Sequence, residues 1–274
     1  MLTNKSSEFF GNKPKTEAID INSYLKRIRA QKEKPSISYL KKLHRAHLIN
    51  VPFENLDIHY KNKIILDYRK IYKKIVSRRR GGFCYELNGL FYHLLYHLGF
   101  NSYLISARVK QEEGFSKDYD HMAVLVLLEN ERWLVDVGFG DSFIYPKKIE
   151  INKVQMDYVD YWRVVADPDE NLILQQSDDY SSFRSKYFFT LEKKQPIQFM
   201  DRCEFHQTSI ESHFTKQKLI TRLTAKGRIM LTERKLKISE LGNTTEQEIT
   251  NEDEFLSKLR QHFGIGFRQL MRNP

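Results

Sequence analysis

The chain has 274 residues, 41% of them hydrophobic, two cysteines and a formal net charge of +10, enough length to bury a sizeable core and to hold two or three sub-domains. The longest strictly apolar run, Met122 to Leu128, falls far short of the ~20 residues of a membrane span, and Met1 to Asp20 is polar, mixed in charge and without the apolar stretch of a signal peptide, so the expectation is a globular, cytoplasmic protein with no membrane partner. Its basic residues are spread over Lys61 to Lys74, Lys147-Lys148, Lys193-Lys194 and Lys216 to Lys235 among many acids, with no nucleic-acid-binding motif, which argues against nucleic acid and leaves a solvated surface or the steering of a small anionic substrate.

Helical spacing runs over Ile21 to Arg29 and Ile37 to Ile49, with Pro35 and Ser36 between them, and Asp67 to Val76 reads as a further short helix. The next helix is marked more sharply. Apolar residues at Leu87, Leu90, Phe91, Leu94, Leu95 and Leu98 form one buried face, and Gly99 supplies a stop. The helix therefore begins at or near Cys84, in the run Arg80-Gly81-Gly82-Phe83-Cys84-Tyr85-Glu86-Leu87-Asn88. Gly81 and Gly82 permit a close backbone approach, and the unpaired N–H groups of a first turn favour a thiolate. Cys84 is thus a candidate nucleophile rather than a packing residue or half of a disulfide with Cys203. His93 and His97 stand four apart on this helix, but Leu94 occupies the place of a zinc-site glutamate and no third ligand is evident. They read as a solvated face, with no metal.

From Ser102 onward the period changes to short β-rich segments: Tyr103 to Val109, Met122 to Leu128, Arg132 to Val137, Tyr161 to Ala166, Asn171 to Gln175 and Lys186 to Thr190. A nucleophilic cysteine requires a base, and the base an orienting acceptor. With Glu129 and Asn130 as a two-residue turn, Leu128 faces Glu131, His121 faces Gly138, and Asp136 lies on the face of His121 one diagonal step away. Gly138-Phe139-Gly140 is too short for a dinucleotide fingerprint and reads as a turn beside the site. Further on, Leu219 to Thr224, Gly227 to Leu231 and Lys235 to Ile238 read as a β-meander. Asn251 to Phe263 reads as a terminal helix between Asn251 as N-cap and Gly264.

The stretches Val51-Pro52-Phe53-Glu54-Asn55-Leu56, Arg80-Gly81-Gly82-Phe83-Cys84 with Asn88, Asp120-His121-Met122, Val135-Asp136-Val137-Gly138-Phe139-Gly140, and Gln207-Thr208-Ser209 with Ser212 and Phe214 resemble the arylamine N-acetyltransferases. Ile210 stands where members of that family often have proline. The resemblance implies an α+β fold of the cysteine-proteinase-like kind: an N-terminal helical bundle (1–99) with the nucleophile, a central antiparallel β-barrel (100–200) with His and Asp, and a C-terminal α/β lid (201–274). It implies a Cys84-His121-Asp136 triad and acetyl-CoA as acyl donor without a metal. The acceptors implied are aromatic amines or hydrazines, and the protein would act as a monomer or weak homo-oligomer. Phe53, Val109 and Phe139 are then expected around the acceptor ring. Gly138, Gly140, Thr208, Ser209, Ser212, Lys216 and Lys218 are the candidates for contacting the donor, with Gln207 to Thr224 as a lid. Glu54 and Arg80 are expected to pair bidentately as a structural support beneath the nucleophile. A papain- or transglutaminase-type hydrolase, and a basic binding module with an inert Cys84, are the competing readings.

Overall fold

Asp20 accepts hydrogen bonds from the N–H groups of Asn22 and Ser23 and so starts α1 (Ile21–Ile28), which stops where Arg29 turns left-handed at φ 59°. The computed structural model describes residues 19–271 apart from Ser142, Val159 and Glu170. Most of the polar Met1 to Asp20 stretch lies outside the described residues. Ser36 caps α2 (Ile37–Asn50), and a short strand β1 (Phe53–Glu54) leads into α3 (Leu56–His59). Asp67 caps α4 (Tyr68–Tyr72), which continues as one wider turn over Lys73–Ser77. The central helix is α5 (Cys84–His97), with Leu87, Leu90, Phe91, Leu94 and Leu95 all fully buried. Its N-terminus is closed by Glu86, whose carboxylate accepts the Phe83 N–H at 3.2 Å. One expectation for this helix is corrected: His93 is buried, not solvated, and its ring lies 4.8 Å from that of Tyr68.

The second layer is built from β2 (Asn101–Val109), β3 (His121–Leu128), β4 (Glu131–Val135), β5 (Lys147–Lys148), β6 (Gln155–Asp157), β7 (Asp160–Ala166), β8 (Leu172–Ser177) and β9 (Arg184–Phe189). They form one antiparallel sheet in the order β5-β4-β3-β2-β9-β8-β7-β6. This is a nearly closed barrel. Where its ends meet, the Gln155 side-chain amide replaces a ladder, donating to Lys148 O and accepting from Lys148 N–H, and Lys147 pairs with Asp157 at 3.0 Å. From Met122 to Leu128 strand β3 is apolar because both of its faces are covered. Met122, Val124 and Val126 pack on the helical core, whereas Ala123 and Leu125 point into the barrel. Glu129 and Asn130, at φ 54° and 61°, make the hairpin turn, and Leu128 faces Glu131.

The chain then runs through α6 (Met200–Thr208) and α7 (His213–Lys216) into β10 (Leu219–Leu223), β11 (Gly227–Thr232), β12 (Lys235–Glu240), β13 (Asn243–Glu248), α8 (Glu252–Phe263) and α9 (Phe267–Leu270). Strand β10 does not pair only with its neighbour in sequence. It also pairs with β1, Phe53 facing Thr221 and Glu54 facing Ile220, which stitches the C-terminal meander to the segment beneath the nucleophile. One face of this five-stranded sheet, with Ile220, Leu231 and Leu236, packs on Phe255 and Leu259 of α8. The helix Met200–Thr208 and the edge strand Asn243–Glu248 had no counterpart in the sequence reading, since neither shows a clean apolar stripe or alternation.

Candidate active site

Cys84 is the first residue of α5, 3% exposed, and lines a cavity of about 1250 Å³. Its surroundings are tight. A Cβ on Gly81 would lie 2.0 Å from the Pro52 carbonyl oxygen, and one on Gly138 would lie 2.8 Å from the Cys84 Cα and 2.7 Å from Asn88 Nδ2. Neither position takes a side chain unless its neighbours shift. Burial pushes the Cys84 thiol well above its ordinary value, the nearby Cys203, Asp136 and Asp120 add to this, and a backbone hydrogen bond involving Met122 opposes it. Burial thus works against the thiolate that the helix start favours. Cys84 and Cys203 are both free thiols.

His121 opens β3, and Asp136 follows the last residue of β4. The ladder ends at the pair Val124–Val135, so Asp136 leaves the sheet and turns its carboxylate back to the imidazole. His121 Nε2 lies 2.7 Å from Asp136 Oδ2. With Nε2 engaged by the carboxylate, Nδ1 is the ring nitrogen left to accept a proton. The other carboxylate oxygen, Oδ1, accepts from Asn88 Nδ2 at 2.8 Å and from the Gly138 N–H at 3.0 Å. Burial works against the charge on Asp136, but the His121 ring, Asn88 and Gly138 outweigh it and hold the carboxyl below its ordinary value. Its backbone N–H donates to His44 Nε2, whose ring sits fully buried behind it. Phe139 packs edge-on against the His121 ring, centroids 5.2 Å apart, and Tyr187 lies 5.4 Å from it. The imidazole is thus fixed in both angle and position.

Of the residues expected around substrates, Phe53, Val109, Phe139, Gly138 and Gly140 line the cavity with Cys84 and His121. Thr208, Ser209, Ser212, Lys216 and Lys218 do not. Thr208 Oγ1 donates to Glu204 O one turn back, Ser209 Oγ accepts from the Glu211 N–H, and Ser212 caps α7. Lys218 bonds Glu252 and lies over the rings of Tyr60 and Phe255. The far wall comes instead from Phe214, Thr221, Met230, Arg228 and Lys237. Thr221, Met230 and Lys237 stand in one row across β10, β11 and β12, the meander expected from the sequence, but its place on the cavity wall has no local signal. Asp120 and His206 also line the cavity, their side chains joined at 3.0 Å.

Beneath the nucleophile lies a buried ionic cluster. Arg80 donates to both Glu54 oxygens, at 2.9 and 3.1 Å, and to Asp57 at 3.0 Å. Lys74 pairs with Glu86 at 2.9 Å and Asp57 at 3.0 Å. Burial pushes Glu86 up to about 7 against the pull of Lys74, whereas Asp57, also raised by burial, is brought down to about 2 by Lys74 and Arg80. Among the described residues no group of three His, Cys, Asp or Glu side chains is placed to hold a metal ion, and no helix is long and apolar enough to cross a membrane.

A family model described as N-acetyltransferase matches residues 36–271. An arylamine N-acetyltransferase / N-hydroxyarylamine O-acetyltransferase of Salmonella typhimurium is 30% identical over 251 residues, 90% of this chain and 89% of that protein. The solved arylamine N-acetyltransferase from that organism superposes with a TM-score of 0.85 at 28% identity, covering 91% of this chain and 94% of its own. A Bacillus cereus arylamine N-acetyltransferase, described as having a unique Cys-His-Glu catalytic triad, gives a TM-score of 0.84 at 28% identity over 91% of this chain and all of its own. In the present chain the acid bonded to the histidine is Asp136. The nearly closed barrel, the helical layer that carries Cys84 and the matched span agree: this chain is an acetyltransferase and belongs to the arylamine N-acetyltransferase family.

Proposed function

We propose that the protein transfers acetyl from acetyl-CoA to aromatic amines or hydrazines through a thioester on Cys84, with His121 as base and Asp136 as its orienting acid. One observation carries the reading: the 2.7 Å His121–Asp136 bond stands at the wall of a large cavity that Cys84 also lines. In the first half-reaction the Cys84 proton passes to His121 Nδ1, and the sulfur attacks the thioester carbonyl of the donor. A new C–S bond forms, the bond to coenzyme A breaks, and the departing thiolate takes the proton from His121. The Cys84 and Tyr85 N–H groups precede that of Glu86, which bonds Phe83 O at 3.0 Å, and are the ones offered to the oxyanion. In the second, the amine nitrogen attacks the acetyl carbon, His121 removes its proton, and the proton returns to sulfur as the C–S bond breaks. Because burial disfavours an isolated thiolate here, ionisation depends on transfer to the imidazole rather than to water.

The cavity volume of about 1250 Å³ exceeds the ~300–1,000 Å³ of an ordinary small-molecule site and suits a pantetheine arm and an acceptor ring in turn. Phe53, Val109 and Phe139 provide the apolar surface for that ring, and Gly138 and Gly140 leave room for the donor. Incubation with acetyl-CoA and no acceptor tests the proposal by intact mass. A persistent single acetyl group on Cys84, discharged on addition of an arylamine, is the expected result. No adduct, together with cleavage of peptides, would favour a hydrolase instead.

A further inference from the structure

Asp120 immediately precedes His121 and is gripped from two sides. Its carboxylate accepts from Arg202 Nε at 3.0 Å, from a second nitrogen of the same guanidinium, and from His206 Nε2 at 3.0 Å. Arg202 and His206 stand four apart on α6 and so share one face. From the other side, the Tyr85 hydroxyl on the first turn of α5 donates to the carbonyls of Tyr119 at 2.8 Å and Asp120 at 3.1 Å. Tyr119 is left-handed at φ 64°, with its N–H on Ser106 Oγ at 2.7 Å. The backbone that delivers His121 to the cavity is therefore pinned one residue upstream.

The same network continues into the opposite wall. His206 Nδ1 lies 3.0 Å from Ser212 Oγ, and that hydroxyl accepts the Phe214 N–H at 3.2 Å. The Phe214 ring stands 6.0 Å from both Phe53 and Phe83 and lines the cavity. His206 is 6% exposed and bonded at both nitrogens, so its ring is a rigid bridge between a carboxylate and a hydroxyl. The acetyl transfer described above uses none of these groups.

We infer that Asp120 and His206 are positioning residues that lock His121 and the Phe214 wall into one unit through the chain Asp120–His206–Ser212. The inference rests on the acyl-transfer reading of the cavity. Burial raises the Asp120 carboxyl, but the hydrogen bonds from His206 and Arg202 outweigh it and keep the group ionised, so the bridge carries charge-assisted bonds in a dry setting. Its purpose is geometric: a displacement of about 1 Å at a reacting group can cost on the order of 100-fold in rate.

The test compares His206→Gln, His206→Leu and Ser212→Ala with the wild-type protein. Glutamine can donate to Asp120 and accept from Ser212, whereas leucine fills the space and does neither. For each, the thermal midpoint, the rate of Cys84 alkylation by iodoacetamide, the rate of acetylation by acetyl-CoA, and kcat and KM for one arylamine are measured. His206→Gln is expected to stay within about threefold of wild type, and His206→Leu to lose roughly 10- to 100-fold in acetylation and alkylation while its acceptor KM rises. Wild-type rates in a folded His206→Leu protein, or equal losses in the glutamine and leucine variants, overturn the inference. If the leucine variant does not fold, Ser212→Ala decides: a raised acceptor KM supports the bridge, and unchanged kinetics refute it. A wild-type protein that is never acetylated defeats the transferase reading, while alkylation still reports on the bridge.

Discussion

Asn88 donates to Asp136 at 2.8 Å, and by this one bond the helix that begins at Cys84 is tied to the carboxylate that holds His121. The same amide nitrogen donates to Met122 O at 2.6 Å, and its oxygen accepts the Val137 N–H at 2.9 Å. Met122 lies in β3, and Asp136 and Val137 directly follow β4. Asn88 thereby sets the distance between the helical and β layers at the site. Asn88→Ala leaves buried partners unpaired, at a cost of about 1–3 kcal/mol, and frees Asp136 to shift. The expected result is a protein that still folds but is acetylated roughly 10- to 100-fold more slowly. Single-turnover acetylation with denaturant unfolding checks this, and an unchanged rate would show that the barrel alone positions Asp136.

Gly138→Ala should damage the site without damaging the fold. The added methyl would meet Cys84 Cα and Asn88 Nδ2 within 3 Å, so either α5 or the 136–140 turn must retreat. Alkylation of Cys84 by iodoacetamide is expected to change at least tenfold while the thermal midpoint moves by only a few degrees, as a ~1 kcal/mol change would produce. An alanine variant that is wild-type in both respects would mean the turn yields freely.

Arg80→Ala should fail in stability before chemistry. Its guanidinium answers Glu54 and Asp57 in a space where Arg80 is 2% exposed and Glu54 fully buried, and stranding such carboxylates typically costs ~3–5 kcal/mol. Low soluble yield is expected, with the folded fraction acetylated at near the normal rate. A variant of full stability and no activity would reassign Arg80 to the reaction itself.

Acid should destabilise the protein through its buried histidines, three rings whose effect outnumbers the opposite one of the raised Glu86 carboxyl. His44 is fully buried, and burial lowers its pKa from 6.5 to about 4; burial likewise holds His47 well below and His93 at about 4. The folded protein therefore binds fewer protons than the unfolded chain between these values. Stability is complete above about pH 6.5 and is lost as the pH falls toward 4, by on the order of 3 kcal/mol for His44 alone. Urea unfolding at pH 7 and pH 4.5 measures the difference, which His44→Asn should reduce. Equal stabilities at the two pH values would show that these rings are protonated in the folded state.

What the sequence determined by itself was local. The caps at Asp20, Ser36 and Asn251, the glycines before Cys84, the apolar stripe of α5 and the Glu129-Asn130 turn each act within a few residues, and each stands where its residue types require. The hairpin register was legible from Leu128–Glu131 to Val124–Val135, since a two-residue turn sets which residues face each other, but the ladder ends there and the expected His121–Gly138 pair does not form. Tertiary structure decided the rest. The β1–β10 pairing, the placing of Thr221, Met230 and Lys237 against the cavity of Cys84, the burial of His93 and the Asp120–His206 bridge join residues far apart in the chain. The ionisation of Cys84 was decided there too. A helix start is visible in the sequence, but the loss of water around the sulfur, which pushes the thiol up, depends on everything packed against it.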